Sequence, residues 1–245
     1  VKRAVSQSRQ CNGLMVAMQP EKGNPDNRRQ ALDQWVSAWL GAPVRGEVAS
    51  ADASFRRYFR YRHDGRTLVA MDAPPEQEDC RPFVDVAGRL ARAGVAVPEI
   101  LHQDLAQGFL LLTDMGHETW LTALDEGNAD AWFGAALDTL ITQQCHADPD
   151  GLPAYDRALL RRELDLFPHW YLGEHRRLQL DGAAADRLAA VFDTLIEAAL
   201  AQPRVFVHRD FMPRNLMVSD PNPGVIDFQD AVEGPLSYDL ISLFK

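Results

Sequence analysis

Cysteine is scarce in this chain. Cys11, Cys80 and Cys145 are odd in number and widely separated, and no pair has CxxC spacing. That speaks against a disulfide framework or a thiolate zinc site and fits a reducing, cytoplasmic compartment. Long apolar runs are missing too, so nothing approaches the ~20 residues of a membrane-spanning helix. Lys2, Arg3 and Arg9 open the chain, but Gln7, Gln10 and Asn12 break any apolar stretch that a secretory signal would need. Basic clusters are absent. Lys plus Arg total 25 against 35 Asp plus Glu, for a net charge of -10, which disfavours nucleic acid and anionic membranes as partners. No G-x-G-x-x-G or Walker-type glycine run occurs, and no internal repeat is visible. What remains is a chain of 245 residues, 46% hydrophobic, able to bury a sizeable core in one or two domains. The polar residues 1–26 read as a disordered lead-in. The first residue is Val, and Met15 or Met18 is a candidate start.

Hydrophobic periodicity divides the rest. Residues 27–41 give a short amphipathic helix through Leu32, Trp35, Val36 and Leu40. Strand-like runs follow at 46–51, 55–63 and 67–72, the last two joined as a hairpin by His63-Asp64-Gly65. A helix is expected over 76–94 with Phe83, Val86, Ala87 and Leu90 inward, then strands at 97–102 and 108–113. Beyond Thr113-Asp114-Met115-Gly116 the pattern becomes helical, at 128–145, 156–168 and 183–201, with very short apolar runs near the end. The predicted architecture is α+β: a small antiparallel-sheet lobe over 27–114, a hinge, and a mainly helical lobe over 115–245.

The chemistry concentrates near the C-terminus. His208-Arg209-Asp210-Phe-Met-Pro-Arg214-Asn215 lies between apolar strands, and Gly224-Val-Ile-Asp227-Phe228 follows. Phosphoryl transfer needs a carboxylate to take the proton of the attacking hydroxyl and oxygen ligands to hold Mg²⁺ on the ATP phosphates. Asp210 suits the first task; Asn215 and Asp227 suit the second. The pattern matches the kinase H-R-D-x-x-x-x-N loop and D-F metal motif, with Gln229 where protein kinases have glycine. His208 reads as a brace for the loop backbone, and Asp239 as a structural carboxylate. For the nucleotide, Ser54 with Arg56 or Arg57 is a candidate phosphate cradle, and strand alternation lets at most one of those arginines face the cleft. Thr113 and Met115 are candidate hinge contacts for adenine. Met71 occupies the strand position where a protein kinase carries its phosphate-binding lysine, which predicts that an arginine supplies that charge. Phe167-Pro-His-Trp170-Tyr171 suits either stacking on a sugar or burial between helices.

At His208–Asn215 and Asp227 the chain resembles the aminoglycoside phosphotransferase and choline kinase superfamily. HRDFMPRNLMV, DFQDAVEGPLSYDLISL, ASFRRYFR, VAMDAPPE and LRRELDLFPHWYL together resemble its anomeric sugar kinases of bacterial cell-wall recycling. The resemblance implies a two-lobed protein-kinase-like fold. It implies ATP and Mg²⁺ as cofactors, and C1 phosphorylation of N-acetylmuramate or N-acetylglucosamine as the reaction. It also implies a substrate pocket in the helical lobe, with Arg214, Gln229, Asp230 and the 163–171 segment as candidates. Further helices are expected after YDLISL, so the helical lobe reads as incomplete at Lys245, which predicts uncovered apolar faces and a weakly stable or weakly active chain. The competing readings are an aminoglycoside or amino-alcohol phosphotransferase and a nucleotide-binding pseudokinase.

Overall fold

The computed structural model describes residues 27–51 and 55–245; the lead-in and Ser54 lie outside them. Strands β1 (Glu47–Ala51), β2 (Arg57–His63), β3 (Arg66–Asp72), β4 (Ile100–Asp104) and β5 (Phe109–Thr113) form an antiparallel sheet in the order β1-β2-β3-β5-β4. The β2–β3 hairpin turns through Asp64 and Gly65, both at positive φ, which matches the right-handed twist of the strands it joins. Gly108 (φ +73) is required where β5 begins, since a Cβ there would meet the Ala73 carbonyl oxygen at 1.8 Å.

Alternation along β2 and β3 sorts their side chains to two faces. Phe59, Tyr61, Leu68 and Ala70 pack under helix α1 (Asn27–Leu40), against Leu32 and Val36. Val69 and Met71 face helix α2 (Arg81–Arg92), with Phe83, Val86, Ala87 and Leu90. The expected helix at 76–94 is shorter in fact, because Pro74 starts a turn that accepts from the Gln77 and Glu78 N–H groups. On the α1 face the fully buried Asp72 accepts from Arg28 Nε at 2.9 Å and Arg57 Nε at 3.0 Å. A carboxylate taken out of water this way needs such partners.

Thr113–Gly116 leads into the helical half. It holds α3 (Trp120–Ala123), α4 (Ala129–His146), α5 (Arg157–Leu166), α6 (Gly182–Leu200) and α7 (Tyr238–Leu243). Asp156 and Asp181 cap α5 and α6 by accepting from the N–H groups of Leu159 and Ala184. Two short antiparallel pairs carry the loops of interest: β6 (Arg204–Val207) with β9 (Val232–Pro235), and β7 (Leu216–Met217) with β8 (Gly224–Val225). One continuous core runs from Met71, Phe83, Leu110 and Leu112 of the sheet side to Phe206, Leu216, Val225 and Phe228 beneath those pairs. The expected helix over 156–168 goes on instead as a π-helical turn, Phe167–His175. There Phe167, Trp170 and Tyr171 are largely exposed, so burial between helices does not hold for them. Phe167 stacks on Tyr171, and Tyr171 on His175. Leu240 and Ile241 on α7, and Phe244 just after it, are exposed as well. Among the described residues no helix is long and apolar enough to cross a membrane.

Candidate active site

A cleft of about 360 Å³ opens between the sheet and the β7–β8 pair. Its apolar lining includes Val69, Phe83, Leu112 and Phe228, and Thr113–Gly116 closes one side. Asn215 and Asp227 both reach it. They come together because their strands are paired and because the Ile226 N–H donates to the Asn215 carbonyl at 3.1 Å. Asn215 Nδ2 donates to the Asp210 carbonyl oxygen at 2.9 Å, which leaves Oδ1 as the acceptor end of that amide. Asp227 adopts φ +63, and Gln229 Nε2 donates to its Oδ1 at 2.8 Å. Left-handed backbone at a non-glycine residue costs energy and persists where its surroundings enforce it, as it does at many active sites.

Asp210 sits beyond the cleft on the same loop and is exposed. Desolvation pushes its carboxyl above the usual carboxylate range, and Asp230 and Glu163 push the same way, while Arg209 and Arg214 pull it back. The net rise suits a general base working near neutral pH.

Two buried polar residues hold the loop. Asp239 accepts from the backbone N–H groups of His208 at 2.7 Å and Arg209 at 2.9 Å, and from Gln143 Nε2 at 3.0 Å. Burial outweighs these bonds and lifts its carboxyl to about 6. His208 accepts at Nδ1 from the Asp210 N–H and lies 3.1 Å from the Ile226 carbonyl through Nε2. These partners assign the proton to Nε2, and burial lowers the imidazole to about 4. His208 therefore braces the loop as a neutral ring. The next residue, Arg209, at φ +79, reaches Glu163 on α5 at 2.7 Å.

The neutral His208 has a consequence for acid stability. In the unfolded chain the ring takes a proton near pH 6.5, whereas in the fold it resists until about 4. The unfolded state then binds more protons across that window, so this group's contribution is whole above pH 6.5 and is lost toward pH 4, to a total of roughly 3 kcal/mol. Asp239, lifted in the fold, acts in the opposite sense between about 4 and 6. Comparison of the wild type with His208→Gln isolates the histidine. On acidification from pH 7 to 4.5 the variant's urea midpoint is expected to fall less, and equal falls would exclude a proton-resistant His208.

The remaining candidates divide. Thr113, Met115 and Arg214 line the cleft. Arg57 does not: it lies on the α1 face with Asp72, because odd-numbered positions of β2 face α1. Arg56 is on the cleft-side face but pairs with Glu78 at 3.0 Å and does not line the cavity. Gln229, expected at the substrate, is instead 7% exposed and turned back on Asp227. Asp230 stays exposed near Asp210. Met71 fills the apolar core, where a lysine's charge would be costly. Sequence reasoning missed Arg60. It lines the cleft and grips the hinge through Asp114 Oδ1 at 2.9 Å and Oδ2 at 2.6 Å, and through the Gly116 carbonyl. Burial would raise the Asp114 carboxyl, but the bonds from Arg60 and the Gly116 N–H hold it below the usual range. The alternation that set Arg57 apart from Arg56 also put Arg60 on the cleft face, and that signal was available.

Residues 45–245 match the phosphotransferase enzyme family known as APH. The N-acetylmuramate/N-acetylglucosamine kinase of Pseudomonas aeruginosa is 56% identical over 231 residues, which are 90% of this chain and 68% of that protein. The protein of the same name from Neisseria meningitidis is 42% identical over 202 residues, 80% of this chain and 60% of that one. Among solved structures, aminoglycoside phosphotransferase APH(4)-Ia in ternary complex with ADP and hygromycin B superposes with a TM-score of 0.60 at 18% identity, covering 87% of this chain and 76% of that one. The streptomycin–ATP complex of APH(2")-IIa gives 0.57 at 15% identity, covering 89% and 75%. The two-lobed, protein-kinase-like architecture is thus shared with enzymes whose sequences have diverged widely. By its family match and its close relatives, the chain belongs to the phosphotransferase enzyme family.

Proposed function

We propose that this phosphotransferase moves the γ-phosphoryl group of ATP to the C1 hydroxyl of N-acetylmuramate and N-acetylglucosamine, giving the sugar 1-phosphate in the cytoplasm during peptidoglycan recycling. The observation that carries the reading is that Asn215 and Asp227 line one apolar cleft, with Asn215 hydrogen-bonded to the backbone of Asp210 on the same loop, in a chain 56% identical to a kinase named for those sugars. The apolar walls suit an adenine ring, and Thr113–Gly116 offers backbone groups at its edge. Asn215 Oδ1 and the Asp227 carboxylate are hard oxygen donors that fit Mg²⁺, a cation that completes its shell with phosphates and water. Bound there, it would neutralise charge on the phosphates. Asp210 accepts the hydroxyl proton as the sugar oxygen bonds to the γ-phosphorus and the β–γ bridge breaks, releasing ADP. A hemiacetal hydroxyl is more acidic than an ordinary alcohol, which eases the demand on a carboxylate base.

A screen of ATP consumption against N-acetylmuramate, N-acetylglucosamine, choline, homoserine and kanamycin tests the proposal. Turnover is expected with the two sugars, and phosphorus NMR of the product should show coupling to the anomeric proton. Turnover confined to kanamycin or choline would replace this reading with the aminoglycoside or amino-alcohol one. Nucleotide binding without turnover of any acceptor would favour the pseudokinase.

A further inference from the structure

Several arginines of the sheet lobe and of the Asp210 loop are committed to carboxylates. Arg28 and Arg57 hold Asp72, Arg56 holds Glu78, Arg60 holds Asp114 and Arg209 holds Glu163. Lysine offers no substitute, since none occurs between Lys22 and Lys245. Arg214 differs from all of these. It lines the cleft, is exposed, and among the described residues makes no hydrogen bond or ion pair. It stands at the middle of the short turn Pro213–Asn215, directly before Asn215. Its charge is also felt at Asp210. It thus adjoins a group assigned to the metal, and its charge reaches the group assigned to the acceptor hydroxyl.

We infer that Arg214 is a specificity residue that binds the carboxylate of an acidic acceptor sugar and so favours N-acetylmuramate over N-acetylglucosamine. This rests on the proposed function. The two sugars differ by a lactyl ether, whose carboxylate is the one charge on either acceptor. A guanidinium with no hydrogen bond of its own among the described residues can match a carboxylate through two parallel hydrogen bonds. An uncompensated cation is also unfavourable for cationic acceptors, which opposes the aminoglycoside alternative. The phosphates of the nucleotide are a second possible anion, and the two sources separate by experiment.

Arg214→Ala and Arg214→Lys, made in the full chain, are to be compared with the wild type on both sugars at saturating ATP, and then with ATP varied. Loss of charge-assisted bonds predicts that the ratio of kcat/KM for N-acetylmuramate to that for N-acetylglucosamine falls by about 10–100-fold in Arg214→Ala. The change should appear mainly in KM, with part of the ratio regained in Arg214→Lys. Equal losses with both sugars, or a rise in the KM for ATP with both, would overturn the assignment and place Arg214 on the phosphates. No turnover of either sugar by the wild type would overturn the proposed function, and Arg214's role with it.

Discussion

Asp210→Ala is expected to lower kcat by ~10²–10⁴-fold, the usual worth of general-base assistance. The KM for ATP should change little, because Asn215 and Asp227 keep their positions. The tie between Asn215 and the loop uses the backbone oxygen of residue 210, which alanine retains. The fold should persist as well, since Asp210 is exposed and the loop is gripped through the N–H groups of residues 208 and 209. Steady-state turnover with ATP and a responsive acceptor checks this, and a loss smaller than about tenfold would remove Asp210 from the role of base. The sign of the pH dependence follows from the same carboxyl. A base must be unprotonated to act, and partial desolvation of the carboxyl raises this one. Activity in the wild type should therefore fall on acidification at a pH above the ~3.9 of an ordinary aspartate.

The second large effect is on stability. Asp239→Asn keeps the shape of a fully buried side chain but turns one of its acceptor oxygens into a donor. One of the loop's N–H groups then faces another donor. Unsatisfied buried groups of this kind cost roughly 2–4 kcal/mol. For a domain of this size that is a fall in Tm of roughly 5–15 °C. Turnover should drop with it, because His208 and Arg209 set the path of the chain into Asp210. Thermal unfolding at pH 8, where the wild-type carboxylate is ionised, is the measurement. An unchanged melt would mean that Asp239 does not hold the loop. The contrast between the two variants is informative: Asp210→Ala should remove activity and spare the fold, whereas Asp239→Asn should weaken both.

Much of the candidate site was legible in the sequence. Asp210, Asn215 and Asp227 lie on loops beside short apolar strands, and two of the interactions that shape the Asp210 loop are local. The Asp210 N–H bonds the His208 ring, and the Asn215 amide bonds the Asp210 carbonyl. Contacts over such short spans are written in adjacent residues. The same holds for alternation in β2 and β3 and for the Asp64-Gly65 turn. The departures arose where long-range partners chose among similar side chains. Helix α1 placed Arg28 beside Asp72 and drew in Arg57. The chain before α2 brought Glu78 to Arg56, and the hinge brought Asp114 to Arg60. Left-handed backbone at Asp227 preceded the return of Gln229 on to its carboxylate.

The sequence by itself determined the candidate trio, the two-lobed division and the presence of Met71 in place of a lysine. Each depends on residue identity and on spacing over a few positions. Tertiary structure alone decided which arginines are paired with carboxylates. Arg56, Arg57, Arg60 and Arg209 are all neutralised by carboxylates, most of them distant in the chain, and Arg214 is not. The physical reason is that an ion pair depends on which faces are packed together, and packing is a property of the whole chain.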